Sequence, residues 1–187
     1  MDEAHRFIDL GHELGVPYIR VFPGSAAEGE QRTSILQQIE ENLRKLGEYA
    51  KGNGVTVLIE SHPGVSDSKT LSEILRRVDM PYVGLLWDTG HTFGEGHEQP
   101  AETFGRLKQY VRLAQFMDFV LEGTKIRYVL LGEGQVPVTE AVRILKQANY
   151  SGYYSFDLPK LWHREIAPPE TAFPQFVTKM REYLASV

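Results

Sequence analysis

The chain has 187 residues, of which 42% are hydrophobic and 24% charged, as expected for one globular domain with a sizeable core. Its net charge of −5 argues against a large nucleic-acid-binding surface, which is usually basic. The absence of cysteine excludes disulfides and thiolate metal sites, so that any metal would need oxygen and imidazole ligands. No apolar run has the length of a membrane span, and the acidic N-terminus is unlike a signal peptide, so that we expect a cytoplasmic protein.

Helical and extended patterns alternate along the chain. In chain order they predict a helix at 2–14, a strand at 18–22, a helix at 33–53, a strand at 55–60, a helix at 69–78 and a strand at 83–88. They then predict a helix near 100–110, strands at 111–120 and 126–131, a helix at 138–148, a strand at 152–157 and a helix at 170–185. No Pro/Ser-rich linker divides this series, so that we expect a single domain over 1–187.

Repeated strand–helix units indicate an α/β fold with a parallel sheet and outer helices, as in a TIM barrel. The six predicted strands are two short of the eight in a closed barrel, which typically takes about 250 residues. Because the chain opens on a helix, we expect N-terminal βα units to be missing. Strands 18–22 and 152–157 would then expose edges that can pair with another chain, which predicts a homodimer or a gap covered by a terminal segment.

Three predicted strands end in a carboxylate, namely Glu60 in VTVLIE, Asp88 in VGLLWD and Asp157 in GYYSFD. In a parallel barrel the carboxyl ends of the strands converge on one mouth, where the chemistry takes place. His62 follows Glu60 by two residues, and His91 follows Asp88 by three. Three carboxylates at one mouth can share a divalent metal, which predicts a metal site there.

The segments GVTVLIESH, LLWDTGH, LGEG and GYYSFD resemble the sugar phosphate isomerase/epimerase superfamily, whose members have the xylose-isomerase-like TIM barrel. That superfamily includes tagatose/psicose 3-epimerases, hydroxypyruvate isomerases, inosose dehydratases and the endonuclease IV branch. The resemblance covers nearly the whole chain, from the helix before the third family strand to the final helix. It is fairly specific to the superfamily and weakly diagnostic of any one substrate.

The resemblance implies a metal held by Glu on strand four, Asp on strand five, His on strand six and Glu on strand eight. Glu60 and Asp88 match the first two positions. The usual H-x-K-D motif of strand six reads Q-F-M-D at 115–118, so that Gln115 replaces the His, and the shorter Asp157 replaces the last Glu. Three carboxylates and one amide oxygen suit Mg²⁺, Mn²⁺ or Ca²⁺ better than Zn²⁺. The family itself takes Mn²⁺, Co²⁺ or Zn²⁺, and we expect Mn²⁺ first.

In the family's epimerases, two carboxylates on opposite sides of the substrate remove and return a proton at carbon, while the metal polarises the neighbouring carbonyl. The resemblance assigns these two roles to Glu60 and Asp157. It also implies that His91 binds a substrate hydroxyl or a second metal. From the residues themselves, His62, Arg20 and Trp162 are further predicted substrate-binding residues, and Trp162 and His163 would close over the mouth. The predicted function is therefore a metal-dependent isomerase or epimerase of a small sugar or sugar phosphate.

Two other functions stay open. A catalytically degenerate barrel that binds a ligand or partner without turnover is favoured by Gln115 and Asp157, since both depart from the family pattern. In that case the strand-end carboxylates would cap strands or form ion pairs with Arg20 and Lys160. A repair nuclease like endonuclease IV is disfavoured, because the net charge is −5 and few of the six histidines follow predicted strands.

Overall fold

The computed structural model describes residues 1–24, 31–123 and 125–187. Its helices are α1 (Asp2–Glu13), α2 (Arg32–Asn53), α3 (Ser68–Val78), α4 (Thr89–Gly94), α5 (Pro100–Leu107), α6 (Val138–Gln147) and α7 (Pro169–Ser186). Its strands are β1 (Tyr18–Val21), β2 (Thr56–Glu60), β3 (Val83–Asp88), β4 (Val111–Phe116), β5 (Asp118–Glu122), β6 (Lys125–Val129) and β7 (Tyr153–Phe156). No helix among these residues combines the length and the apolar character needed to cross a bilayer.

Five strands form one parallel sheet in the order β1-β2-β3-β4-β7. The predicted fold class is confirmed: the sheet is an open half-barrel of the TIM-barrel type. The predicted number of barrel strands is wrong, because within the described residues the sheet contains five strands and not six. With five strands in the sheet, a closed eight-stranded barrel would require three more rather than two.

The difference lies in the segment between β4 and α6. The run 111–120, predicted as one strand, divides at Met117 into β4 and β5, and the run 126–131 contributes β6. Strands β5 and β6 form an antiparallel hairpin outside the parallel sheet. Strand β4 therefore pairs directly with β7, with Gln115 opposite Ser155. A short apolar run looks the same in the sequence whether it enters a barrel or a hairpin, which explains the error.

The core lies between the sheet and the outer helices. Strand β3 is buried along its whole length, as expected for a central parallel strand that is covered on both faces. Trp87 at its carboxyl end is completely buried, and its indole N–H donates a hydrogen bond to the Thr92 hydroxyl at 3.1 Å. The bond fixes the start of α4 against the end of β3, where the candidate site begins.

The open ends of the half-barrel carry exposed apolar side chains. At the β1 end, a groove of about 610 Å³ lies between α1 and β1. Five of its residues are exposed apolar side chains and define what we call the edge groove: Phe7, Leu10, Leu14, Val16 and Phe22. At the other end, Tyr153 on β7 and Phe173 and Val177 on α7 are similarly exposed. Both edges of the sheet are thus apolar surfaces.

Candidate active site

Four predicted site residues meet at the carboxyl end of the sheet. Glu60 ends β2, Asp88 ends β3, Gln115 is the penultimate residue of β4, and Asp157 follows β7 directly. Asp88 and Gln115 are partners in the β3–β4 register. Because β2, β3, β4 and β7 are consecutive in the sheet, the four side chains come from neighbouring strands. We call these four residues the strand-end cluster.

The Gln115 amide joins two carboxylates of this cluster. Its Nε2 lies 3.0 Å from Asp88 Oδ2 and 3.4 Å from Glu60 Oε1 and donates to both. The other oxygen of Asp88 accepts the backbone N–H of His91 at 2.9 Å and so caps α4. Asp88 therefore has one oxygen committed to the fold and one that faces the cluster.

Arg20 approaches the cluster from the open edge. Its guanidinium nitrogen lies 3.1 Å from Glu60 Oε2, and its charged end lies over the ring of Phe22 at 4.5 Å. The Glu60 side chain is 2% exposed and that of Arg20 is 44% exposed. Glu60 Oε2 is buried. Within the described residues, its polar contact is this ion pair with Arg20. The positive charge beside this buried oxygen is therefore that of Arg20.

Lys160, the other cation considered as a partner, is used elsewhere. Its ammonium donates to the backbone carbonyls of Arg164 and Ile166, which orders the loop after β7. Within the described residues, the Asp157 carboxylate therefore has no ion pair with Lys160.

Two histidines lie beside the carboxylates. The rings of His62 and His91 are 4.8 Å apart and meet edge to face. Potential ligand atoms of Glu60, His62 and His91 lie within 4.8 Å of one another, and so do those of Asp88, His91 and Asp157. His91 belongs to both groups. The donor set is carboxylate oxygen and neutral imidazole, which fits a divalent metal.

Burial shifts the protonation equilibria of the site. It raises the pKa of Glu60 to about 7, and it raises the pKa values of Asp88 and Asp157 above their ordinary range. It lowers the pKa of His91 to about 4 and also lowers that of His62. The imidazoles are thus held in the neutral form that binds metals. Metal binding to carboxyl groups that retain protons must release those protons.

A cavity of about 510 Å³ opens above the cluster, within the usual size range of small-molecule sites. Six predicted site residues line it: Arg20, Glu60, His62, His91, Asp157 and Trp162. Asp88 and Gln115 are buried and do not line it. Trp162 is 77% exposed and lies at the rim of the cavity.

The sequence analysis missed three residues that line the cavity: Phe22, Glu95 and Tyr128. Tyr128 comes from β6, and its ring lies 4.6 Å from that of His163. The assignment of 126–131 to the barrel concealed Tyr128, since the hairpin is what brings its ring to the cavity. His163, named with Trp162 as a residue at the mouth, also lines the cavity.

Asp118 fixes the loop that follows the hairpin. Its carboxylate accepts backbone N–H groups of Phe119, Gly132, Gly134 and Val136 at 2.8 to 3.1 Å. A Cβ on Gly134 would lie only 2.1 Å from Asp118 Oδ1, so that the loop requires glycine there. Burial raises the pKa of Asp118, whereas the four donors act in the opposite direction. These contacts set the position of the hairpin that carries Tyr128.

The half-barrel and the polar groups at its strand ends define a protein of the TIM-barrel class. Residues 1–183 match the family described as xylose isomerase-like TIM barrel, and the chain belongs to that family. The predicted resemblance to this family is confirmed.

The curated relatives share limited sequence identity with the chain. It is 25% identical to an inosose dehydratase from Clostridium beijerinckii, over 97% of this chain and 67% of the relative. It is 24% identical to an uncharacterized protein from Methanocaldococcus jannaschii, over 80% of this chain and 53% of the relative. The chain thus spans between about half and two thirds of the length of these relatives.

Solved structures share the fold. A crystal structure of IOLI protein with a binding zinc atom superposes with a TM-score of 0.82 at 20% identity, covering 99% of this chain and 69% of that one. D-allulose 3-epimerase from Methylomonas sp. in complex with D-allulose superposes with a TM-score of 0.68 at 17% identity, covering 94% of this chain and 60% of that one. At these identities the likeness shows the fold alone.

Proposed function

We propose that the strand-end cluster catalyses a metal-dependent isomerisation or epimerisation of a small sugar or sugar phosphate. The observation that carries this proposal is the position of Glu60, Asp88, Gln115 and Asp157 on four neighbouring strands below one cavity. The relatives named as an epimerase and a dehydratase support the class of substrate.

The carboxylates of Glu60, Asp88 and Asp157 would hold the metal, with Gln115 and His91 as candidates for further ligands. Mn²⁺ is the first metal to test. When bound, the metal would polarise the substrate carbonyl next to the reacting carbon. Two groups of possible ligands support a metal at this site, namely Glu60 with His62 and His91, and Asp88 with His91 and Asp157.

Glu60 and Asp157 are the proposed proton acceptor and proton donor. In the metal-free protein, Glu60 is oriented by Arg20 on one side and by Gln115 on the other. Asp157 is shorter than glutamate by one methylene, and a misplacement of about 1 Å can cost a factor of about 10² in rate. We therefore propose a slow enzyme unless the substrate approaches β7 closely.

The remaining cavity residues suit a polyol. His62 and His91 offer neutral ring nitrogens to hydroxyl groups, and Trp162 and Phe22 offer apolar faces. The partly exposed Arg20 can meet an anionic group such as a sugar phosphate.

A degenerate barrel without turnover is the second candidate, and one observation favours it. Gln115 Nε2 already satisfies one oxygen each of Glu60 and Asp88 without a cation. The double variant Gln115→His/Asp157→Glu discriminates between the two candidates. A rise in activity would support the enzyme, whereas persistent inactivity with retained metal binding would support the degenerate barrel.

The direct test is solvent deuterium exchange. The purified protein with Mn²⁺ would be incubated in D₂O with D-allulose and with a phosphorylated ketose, and the substrate followed by ¹H NMR. With wild type, we expect the ¹H signal of the carbon next to the carbonyl to disappear as deuterium replaces the proton. With Glu60→Gln and Asp157→Asn, we expect that signal to persist. Glu73→Gln, on the exposed face of α3, is the matched control and should retain activity. Absence of metal binding at millimolar concentrations would contradict the proposal.

A further inference from the structure

The orientation of the Gln115 amide is determined by its neighbours. The residue is 5% exposed, and its Nε2 faces one oxygen of Asp88 and one of Glu60 at 3.0 and 3.4 Å. An amide nitrogen only donates, so that it can join two carboxylate oxygens, whereas the amide oxygen in the same place would repel them. The observed orientation is therefore the one expected when no cation lies between these carboxylates.

A cation bound by Glu60 Oε1 and Asp88 Oδ2 would reverse this preference. The Gln115 N–H groups would then point at a positive charge, which is unfavourable. A half-turn of the amide exchanges nitrogen for oxygen with almost no change of shape. After that turn, Gln115 Oε1 would face the cation as a neutral oxygen ligand.

We propose that Gln115 is a two-position residue that donates to Glu60 and Asp88 in the metal-free protein and turns its oxygen to the metal on binding. This inference rests on the metal site of the proposed function and adds its selectivity. An amide oxygen favours hard cations such as Mg²⁺ and Mn²⁺, whereas imidazole at this position favours Zn²⁺. The Zn²⁺/Mn²⁺ affinity ratio of this chain is therefore lower than that of the same site with histidine at position 115.

Metal affinity tests the selectivity. Dissociation constants for Mg²⁺, Mn²⁺ and Zn²⁺ would be measured by calorimetry on chelator-treated wild type, Gln115→His and Gln115→Leu. We expect Gln115→His to increase the Zn²⁺/Mn²⁺ affinity ratio by at least about tenfold. We expect Gln115→Leu to weaken Mn²⁺ and Mg²⁺ binding. Gln109→His, at an exposed position, should leave the ratio unchanged.

Side-chain NMR tests the turn of the amide. In ¹⁵N-labelled protein, one NH₂ pair that is missing from Gln115→Leu should shift on addition of Mg²⁺, which is diamagnetic. Melting temperatures of the metal-free variants would show that each one is folded, and any unfolded variant would be replaced by Gln115→Met.

The possible results separate this inference from the proposed function. Metal binding with the expected selectivity but without deuterium exchange would support the inference and contradict the proposed turnover. An unchanged Zn²⁺/Mn²⁺ ratio in Gln115→His, an unmoved NH₂ pair, or wild type that binds neither Mg²⁺ nor Mn²⁺ would overturn the inference, whatever the activity.

Discussion

The guanidinium of Arg20 lies 3.1 Å from the buried carboxylate of Glu60, at the point where the site meets the open edge of the sheet. Burial raises the pKa of Glu60 to about 7, and the charge of Arg20 opposes that rise. The ion pair thus connects the ionisation of a candidate ligand with a side chain on an edge strand.

Removing this charge should move the pH dependence of metal binding. In Arg20→Gln the pKa of Glu60 should rise further, so that the midpoint for Mn²⁺ binding moves to higher pH by about one unit. At high pH, where Glu60 is ionised in both proteins, the variant should bind at least as tightly, because a repelling charge is absent. Calorimetry between pH 5.5 and 8.5 would test this, with the exposed Arg6→Gln as control. An unchanged midpoint would contradict the coupling.

The metal-free protein should show the cost of ionising Glu60. The folded state holds a proton on Glu60 up to a pKa of about 7, whereas the unfolded state loses it near the ordinary glutamate pKa of 4.5. This contribution to stability is therefore complete below pH 4.5 and is lost as the pH rises through 7. Glu60→Gln should gain stability relative to wild type as the pH rises from 4.5 to 8, by up to about 3 kcal/mol.

Urea unfolding in the presence of chelator at several pH values would measure that difference. His91 contributes with the opposite sign, because its pKa falls from 6.5 to about 4 and its stabilisation is lost on acidification. Since His91 titrates in both proteins, its contribution largely cancels in the difference. A free-energy difference that does not change with pH would show that Glu60 is ionised throughout.

The sequence predicted the residues at strand ends better than the contacts between them. Glu60 and Asp88 end apolar runs that were predicted as buried parallel strands, so that their place at the mouth followed from the predicted fold. The bridging orientation of Gln115 could not be predicted, because it depends on two carboxylates far away in the sequence. Tyr128 was missed for the same reason, as its position depends on a hairpin that Asp118 holds.

The Asp118 loop should be one of the most sensitive parts of the fold. Asp118→Ala would leave four backbone N–H groups without their acceptor, which should cost about 2–4 kcal/mol and lower the melting temperature by roughly 6–12 °C. Gly134→Ala should act similarly, because its Cβ would collide with the Asp118 carboxylate. Calorimetric melting of both variants would test this, and the exposed Glu133→Ala is the control. Wild-type melting of Asp118→Ala would show that the loop is held by other contacts.

The exposed edges predict self-association of the 187-residue chain. We propose that the edge groove on α1 and β1 packs against the β7–α7 end of a second copy, because both ends are apolar and both edge strands are unpaired within the described sheet. Light scattering after size exclusion should give a concentration-dependent dimer. Leu10→Glu or Phe173→Glu, one at each end, should shift it to monomer. Leu121→Glu, an exposed apolar position on the hairpin outside the parallel sheet, should not. A wild type that is monomeric at all concentrations would contradict the dimer and would show that no second copy covers the edge groove.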